Sequence, residues 1–351
     1  MYFNEIASIQ RRMLIDVRQA YEAWSAADQE MRHRFAGSMR WQKRGAAEYL
    51  MRKVRSVEKS LGRRQPETER TYDAFIQGRA AAKDRLAGLV AALQTQAAIA
   101  RSVGVGRVPS LTARVFRALD EARILGHIRI VGTNALYAYE ALAGIHFTAE
   151  TLATGDVDLL FDARRALRII VPEPEPRTVL GLLRKLDHSF KLIEHKPYTV
   201  ANADGFMVDL IYPQASPPWR SPPGVCSLAE DDIVPSAVQG LQWLVNSAPV
   251  EALVIDDRGY PAPIIVPDPR VWAAHKAWLS GREDRDAIKR RRDGEQALAV
   301  IQVLRRYLPQ FSLADGFGDQ LPKALRQSFA HLLEQVPAEE TREDGWPRPE
   351  W

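Results

Sequence analysis

The sequence predicts an α+β protein: a mixed sheet with flanking helices, a long helical extension before it and further helices after it. Three observations predict this. Apolar residues recur at three- and four-residue steps through the first ~100 positions, as in helices that bury one face. From Ile128 onward short apolar runs alternate with helical stretches, without the repeated strand–helix–strand series of a parallel sheet. Beyond Val271 helical spacing returns. The expected division is a basic helical region over 1–105, a core over 106–268 and a C-terminal helical region over 269–351.

In the first region Ile6, Ile9, Met13, Leu14, Val17 and Tyr21 form one apolar stripe, and Phe75, Ala82, Leu86, Leu89, Val90 and Leu93 form another. Between the stripes, from Met39 to Arg64, cations crowd the chain against only Glu48 and Glu58, with Trp41 and Tyr49 interleaved. This stretch is expected on helices. Clustered cations attract phosphate-bearing partners, which makes Arg52, Lys53 and Arg55 candidate contacts to nucleic acid. A solvated helix face is the plainer explanation of the same charge.

Ser102 to Pro109 reads as a linker, and Pro109-Ser110 opens a helix through about Arg123 that Gly126 ends. Ile128–Val131 is a predicted strand, and Thr133–Ala143 a helix ended by Gly144. Val157–Phe161 is a strand and Thr178–Leu186 a helix. Lys191–Ile193, Tyr198–Val200 and Phe206–Ile211 are strands, the last two joined by the turn Asn202-Ala203-Asp204-Gly205. The proline-rich run SPPWRSPPG is expected to be a surface loop, and a small β element follows at Ala252–Ile255 and Pro263–Val266. Helices are then expected at Val271–Leu279, Asp284–Tyr307 and Leu321–Leu333, with a mobile polar tail after Val336.

Composition narrows the function classes. Hydrophobic residues at 46% and charged residues at 26% are ordinary for a soluble globular protein. No apolar run approaches the length of about 20 residues that a membrane helix needs, and the first residues lack a basic-then-apolar signal layout. The single Cys226 leaves no internal disulfide and no cysteine cluster for zinc, and a cytoplasmic protein without membrane contact is expected. The net charge is +4, with a second basic run at Lys289-Arg290-Arg291-Arg292.

Three features carry chemistry. In Ile128–Leu136, Gly132 joins a strand to a helix, so backbone approaches a ligand closely and Thr133 and Asn134 add polar groups for a phosphate. The same sequence also suits a plain tight turn with Thr133 as a helix cap. In Gly155–Phe161, strand alternation puts Asp156 and Asp158 on one face, where they repel unless a cation lies between them. In Gly205–Tyr212, Asp209 stands alone in an apolar strand, and a buried carboxylate needs a metal, a cation or hydrogen bonds. Each has a structural alternative, an exposed edge strand for the pair and a satisfied core aspartate for Asp209. Their order in one stretch of chain points to a shared site.

In that order they resemble the DNA-polymerase-β-like nucleotidyltransferases: a strand, a Gly-Ser or Gly-Gly turn, a helix, an Asp-x-Asp strand and a third acidic residue. VGTNALYAYEALAG, TGDVDLLFD, GFMVDLIYP and VPDPRVWAAHKAWLSGREDR look like a bacterial subfamily of predicted nucleotidyltransferases. The superfamily resemblance covers Val131 to Ile211, and the likeness to the subfamily most of the chain. Threonine replaces the commoner serine or glycine, and the stretch from Gly132 to Asp156 is longer than in minimal members, with room for an inserted turn at His146–Thr154.

The resemblance implies a nucleotidyltransferase-type sheet and transfer of a nucleoside monophosphate from an NTP to a hydroxyl. It implies two magnesium ions, with manganese as a substitute, held by Asp156, Asp158 and Asp209 as catalytic residues. Gly132, Thr133 and Asn134 would hold the outer phosphates, and Lys276 and Arg282 on a closing helix would neutralise them. The basic N-terminal region makes RNA the favoured acceptor. The alternatives are a toxin or a modifier of protein or small-molecule acceptors, or a non-catalytic nucleotide- or nucleic-acid-binding protein. His275 is expected to be structural, and the oligomeric state is left open.

Overall fold

The computed structural model describes residues 2–162, 178–215, 232–314 and 316–336, so SPPWRSPPG, Cys226 and the tail after Val336 lie outside the described residues. The chain forms two compact units, Ser8–Gly106 with Asp257–Pro261, and Met1–Ala7 with Arg107–Asp256 and Ala262–Trp351. No described helix is long and apolar enough to cross a membrane.

β1 (Phe3–Glu5) belongs to the larger unit. The smaller unit pairs α1 (Ser8–His33) with α2 (Pro66–Ser102). The expectation of helix between them is corrected. Residues 38–63 form an antiparallel meander of β2 (Ser38–Arg44), β3 (Ala47–Val54) and β4 (Val57–Arg63). Met39 and Trp41 alternate with Arg40 and Gln42, and Met39 packs with Leu50, Phe35 and Phe75 in a small core. Two turns close the hairpins with positive φ, 61° at Gly45 and 55° at Arg55. The cations obscure this two-residue period because they occupy both faces of the strands. Gly37, at φ 76°, leaves no room for a side chain, since a Cβ there would lie 1.9 Å from the Lys53 carbonyl oxygen.

The larger unit is built on α3 (Ser110–Glu121), β5 (Ile128–Val131), a 3-10 turn (Gly132–Asn134), α4 (Ala135–Ala143), β6 (Ile145–Phe147), α5 (Ala149–Leu152) and β7 (Asp156–Phe161). Then come α6 (Val179–Leu186), β8 (Lys191–Ile193), β9 (Lys196–Ala201), β10 (Met207–Pro213), β11 (Ser236–Val238), α7 (Leu241–Asn246), β12 (Val250–Ile255) and β13 (Pro261–Val266). It ends in α8 (Pro269–Ser280), α9 (Ala287–Tyr307), α10 (Phe317–Gln320) and α11 (Lys323–Gln335). The inserted stretch after Gly144 is more than a turn: β6 pairs with β1, and α5 follows it.

The main sheet runs β5-β7-β10-β9-β8, with β11 pairing in parallel beside the end of β10. β7 and β10 are parallel, and β5 and β9 flank them antiparallel, which makes the sheet mixed as expected. β5 and the apolar face of β7 are buried because Ile128, Ile130, Val157 and Leu159 fill the core. α8 and α9 pack against each other, and α9 buries Ala297, Val300, Ile301 and Leu304. Asp286 caps α9 by accepting from the Ile288 and Lys289 amides.

Candidate active site

Alternation along β7 sends Val157 and Leu159 into the core and leaves Asp156 and Asp158 half-buried on the other side. β10 repeats the pattern with Val208 and Leu210 inside and Asp209 half-buried. The parallel register sets Asp209 directly beside Asp158. One oxygen from each of the three carboxylates lies within 4.8 Å of the others.

Three carboxylates this close raise one another's affinity for protons. Desolvation by the protein around it pushes the Asp158 carboxyl up to about 7, and Asp156 and Asp209 add to the rise while Lys276 and Arg285 oppose it. Desolvation also raises Asp209, a hydrogen bond from Thr199 opposes it, and Asp156 adds to the rise. Asp209 Oδ1 is buried with no hydrogen-bond partner. A cluster of hard oxygen donors with one buried oxygen unsatisfied suits a divalent cation such as magnesium or manganese, so the residues fit the expected metal.

The Gly132 turn is shaped around this cluster. Gly132 has φ 61°, and a Cβ there would lie 2.1 Å from Asp158 Oδ2, so only glycine allows turn and carboxylate to approach this closely. Asn134 Nδ2 donates to the Asp156 carbonyl at 2.6 Å, and the Thr154 hydroxyl donates to Asp156 Oδ1. Trp272 Nε1 on α8 donates to the Gly132 carbonyl at 3.2 Å. The Asn134 side chain is therefore engaged in bracing β7.

A cleft of about 300 Å³ opens over the carboxylates and is lined by Gly132, Thr133, the three aspartates and one face each of α8 and α9. Lys276 lines it, but its ammonium is buried, donates to Asp293 Oδ1 at 2.6 Å and lies 5.3 Å from the centre of the Trp272 ring. Burial lowers the Lys276 pKa and the Asp293 carboxylate pulls it back. Asp293, fully buried, also accepts from Arg285 Nε at 2.5 Å. Arg282 is not brought to the cleft. It pairs with Asp284 at 2.5 Å, donates to Gln239 at 2.9 Å and stacks 4.7 Å from the Trp278 ring centre.

Three cations that sequence reasoning did not assign line the cleft instead: Arg285, Lys289 and Arg292. The basic run at 289–292 was the available signal, since a three-residue step puts Lys289 and Arg292 on one helix face. His275 is buried among Trp243, Trp278 and the cations, and lines the cleft as well.

In the smaller unit, Arg52, Lys53 and Arg55 do not share one face. Arg52 donates to the Arg34 carbonyl at 3.1 Å and lies 5.4 Å from the Phe75 ring centre. Lys53 is exposed opposite Glu58, and Arg55 sits in the hairpin turn. Nearby cations are partly neutralised, Arg40 by Glu58 at 2.9 Å and Arg64 by Glu48 and Glu69 at 2.6 and 2.7 Å.

A protein-family model described as Nucleotidyltransferase matches residues 110–321, more than half of the chain and the whole of the cleft. No curated protein and no solved structure matches.

Proposed function

The chain belongs to this nucleotidyltransferase family, and from that premise we propose that it moves a nucleoside monophosphate from an NTP to a hydroxyl on RNA. The observation that carries the site assignment is the convergence of Asp156, Asp158 and Asp209 within 4.8 Å beneath a glycine turn, inside the matched region. These aspartates would hold two magnesium ions, with manganese able to replace them; bound there, such ions neutralise phosphate charge and acidify the attacking hydroxyl.

The protein's own groups divide the remaining work. The acceptor oxygen attacks the α-phosphorus, the bond to the β-phosphate oxygen breaks, and pyrophosphate leaves. The hydroxyl proton passes to Asp209, whose buried Oδ1 has no other hydrogen bond. Gly132 lets the triphosphate approach the backbone, and Thr133 meets a phosphate oxygen. Lys276, Arg285, Lys289 and Arg292 line the cleft and offset the triphosphate charge. Asn134 acts indirectly, by holding the β7 end, and Arg282 only by steadying the α8 end. In this reading 106–268 is the catalytic core, 269–351 closes the cleft, and 1–105 meets the acceptor.

A second reading has a protein or small-molecule acceptor, as in a toxin or a modifying enzyme. The pairing of Arg40 and Arg64 with glutamates favours it, because paired cations attract phosphates less. The deciding experiment incubates the pure protein with each α-labelled NTP, magnesium and total cellular RNA. Label in RNA that disappears in Asp158→Ala supports the proposal. Label only in protein or small molecules supports the second reading, and no transfer with any acceptor overturns both.

A further inference from the structure

Gln296 lies 0% exposed on α9, far from Thr133 in sequence, yet its side-chain amide reaches the nucleotide turn. Gln296 Nε2 donates to the Thr151 carbonyl at 2.8 Å and to Thr133 Oγ1 at 3.1 Å. The orientation of this amide follows from chemistry, because a carbonyl only accepts and the group facing Thr151 must therefore be the NH2. The same NH2 then forces Thr133 Oγ1 to act as an acceptor. One hydroxyl proton remains on Thr133, and it meets no acceptor among the described residues, although Thr133 is 4% exposed and lines the cleft.

We propose that Gln296 is a positioning residue for nucleotide binding: it fixes the Thr133 hydroxyl as a donor, ready for an anionic phosphate oxygen of the NTP. This rests on nucleotidyl transfer at the cleft and adds to it the group that sets the polarity of the turn. A hydroxyl that already accepts one hydrogen bond and has its proton to give suits an anion better than a cation. Thr133 is therefore a phosphate contact and not a metal ligand. Hydrogen bonds to charged acceptors are the strong ones, so a hydroxyl oriented beforehand is worth more than one free to turn.

The test titrates the full-length protein with ATP, GTP, CTP and UTP in magnesium, and carries the tightest binder through a set of variants. Thr133→Val should weaken binding about tenfold, while Thr133→Ser should keep it. Gln296→Met, equal in length without donors, should weaken binding about three- to tenfold, and by nothing further in the Thr133→Val background. Gln296→Asn, whose amide is one methylene too short, should behave alike and serves if Gln296→Met does not fold. Mn2+ affinity, read by electron paramagnetic resonance, should be unchanged throughout. Additive losses, unchanged NTP affinity in Thr133→Val, or a parallel loss of Mn2+ overturn the role given to Gln296. Asp158→Ala separates the two readings: if it retains transfer activity, or if the wild type binds no NTP, nucleotidyl transfer at this cleft fails as well.

Discussion

Asp158 and Asp209 stand side by side at one register position of the parallel strands β7 and β10, so neighbouring strands turn two carboxylates toward one cleft. With Asp156 two residues before Asp158 on the same face, the sheet builds an acidic cluster from backbone geometry alone. Such a cluster is strained without a cation, and function and stability should therefore respond in opposite directions to its removal.

Asp156→Ala, Asp158→Ala and Asp209→Ala should each lower transfer activity by about a thousandfold or more. Circular dichroism should show the fold retained. Asp209→Asn should make the metal-free protein more stable by on the order of 1 kcal/mol, since it removes a half-buried like charge. In urea titrations magnesium should stabilise the wild type and not this variant. Near-normal turnover in any alanine variant would refute the shared metal site.

Gly132→Ala should be costly both to folding and to the site. The added methyl would press on Asp158 Oδ2 at 2.1 Å in a backbone conformation that alanine adopts poorly. A loss of about 1–3 kcal/mol is expected, with weaker NTP binding in whatever folds. Unchanged melting temperature and NTP affinity would show that the turn does not approach the carboxylate this closely in solution.

Lys276→Ala should act on stability first. It leaves the fully buried Asp293 with Arg285 as its one cation among the described residues, a loss expected below the about 3–5 kcal/mol of a fully broken buried pair. Arg282→Ala removes a residue that does not line the cleft and touches it only through Gln239, so NTP affinity should change by less than about threefold. Denaturant unfolding and calorimetry check the pair of results. A strong NTP defect in Arg282→Ala would return that residue to the nucleotide site.

His275 should withdraw stability below neutral pH, against the gain from Asp158, whose raised carboxyl takes up its proton in the folded chain first. Burial, followed by the neighbouring Lys276 charge, lowers the His275 pKa from 6.5 to about 3, with Asp293 opposing and Arg285 and Arg282 adding to the fall. The unfolded chain therefore binds a proton that the folded chain refuses. The contribution is complete above the ordinary histidine pKa and is lost as pH falls from there toward the depressed value, by about 1.4 kcal/mol per unit. His275→Phe, which keeps a ring between Trp243 and Trp278, should raise stability at pH 5 relative to pH 7, compared with the wild type, in urea unfolding. An unaltered slope would mean that another group carries the acid sensitivity.

If RNA is the acceptor and the basic meander engages it, binding should weaken steeply with salt through counterion release. Lys53→Glu with Arg55→Glu should lower RNA affinity and the salt slope while NTP affinity stays unchanged. Arg52 is better left intact, because it also ties the meander to the Arg34 carbonyl. Salt-insensitive RNA binding in gel shifts, or none, would favour the protein or small-molecule acceptor.

Much of the candidate site's geometry was readable from local sequence. Strand alternation requires Asp156 and Asp158 to share a face, a lone Asp209 in an apolar strand invites a partner, and Gly132 between strand and helix marks a close approach. These inferences need only the backbone's own period. The meander at 38–63 escaped that reading because cations on both faces hide its two-residue period. Tertiary structure alone decided which cations reach the cleft. Lys276 and Arg282 lie on one short stretch, yet a buried Asp293 draws Lys276 and Arg285 inward while Asp284 and the Trp278 ring hold Arg282 out of the cleft lining. Gln296 is likewise invisible beside Thr133 until α9 packs against the turn. A charge or an amide finds its partner through packing across the chain, and no local period encodes that choice.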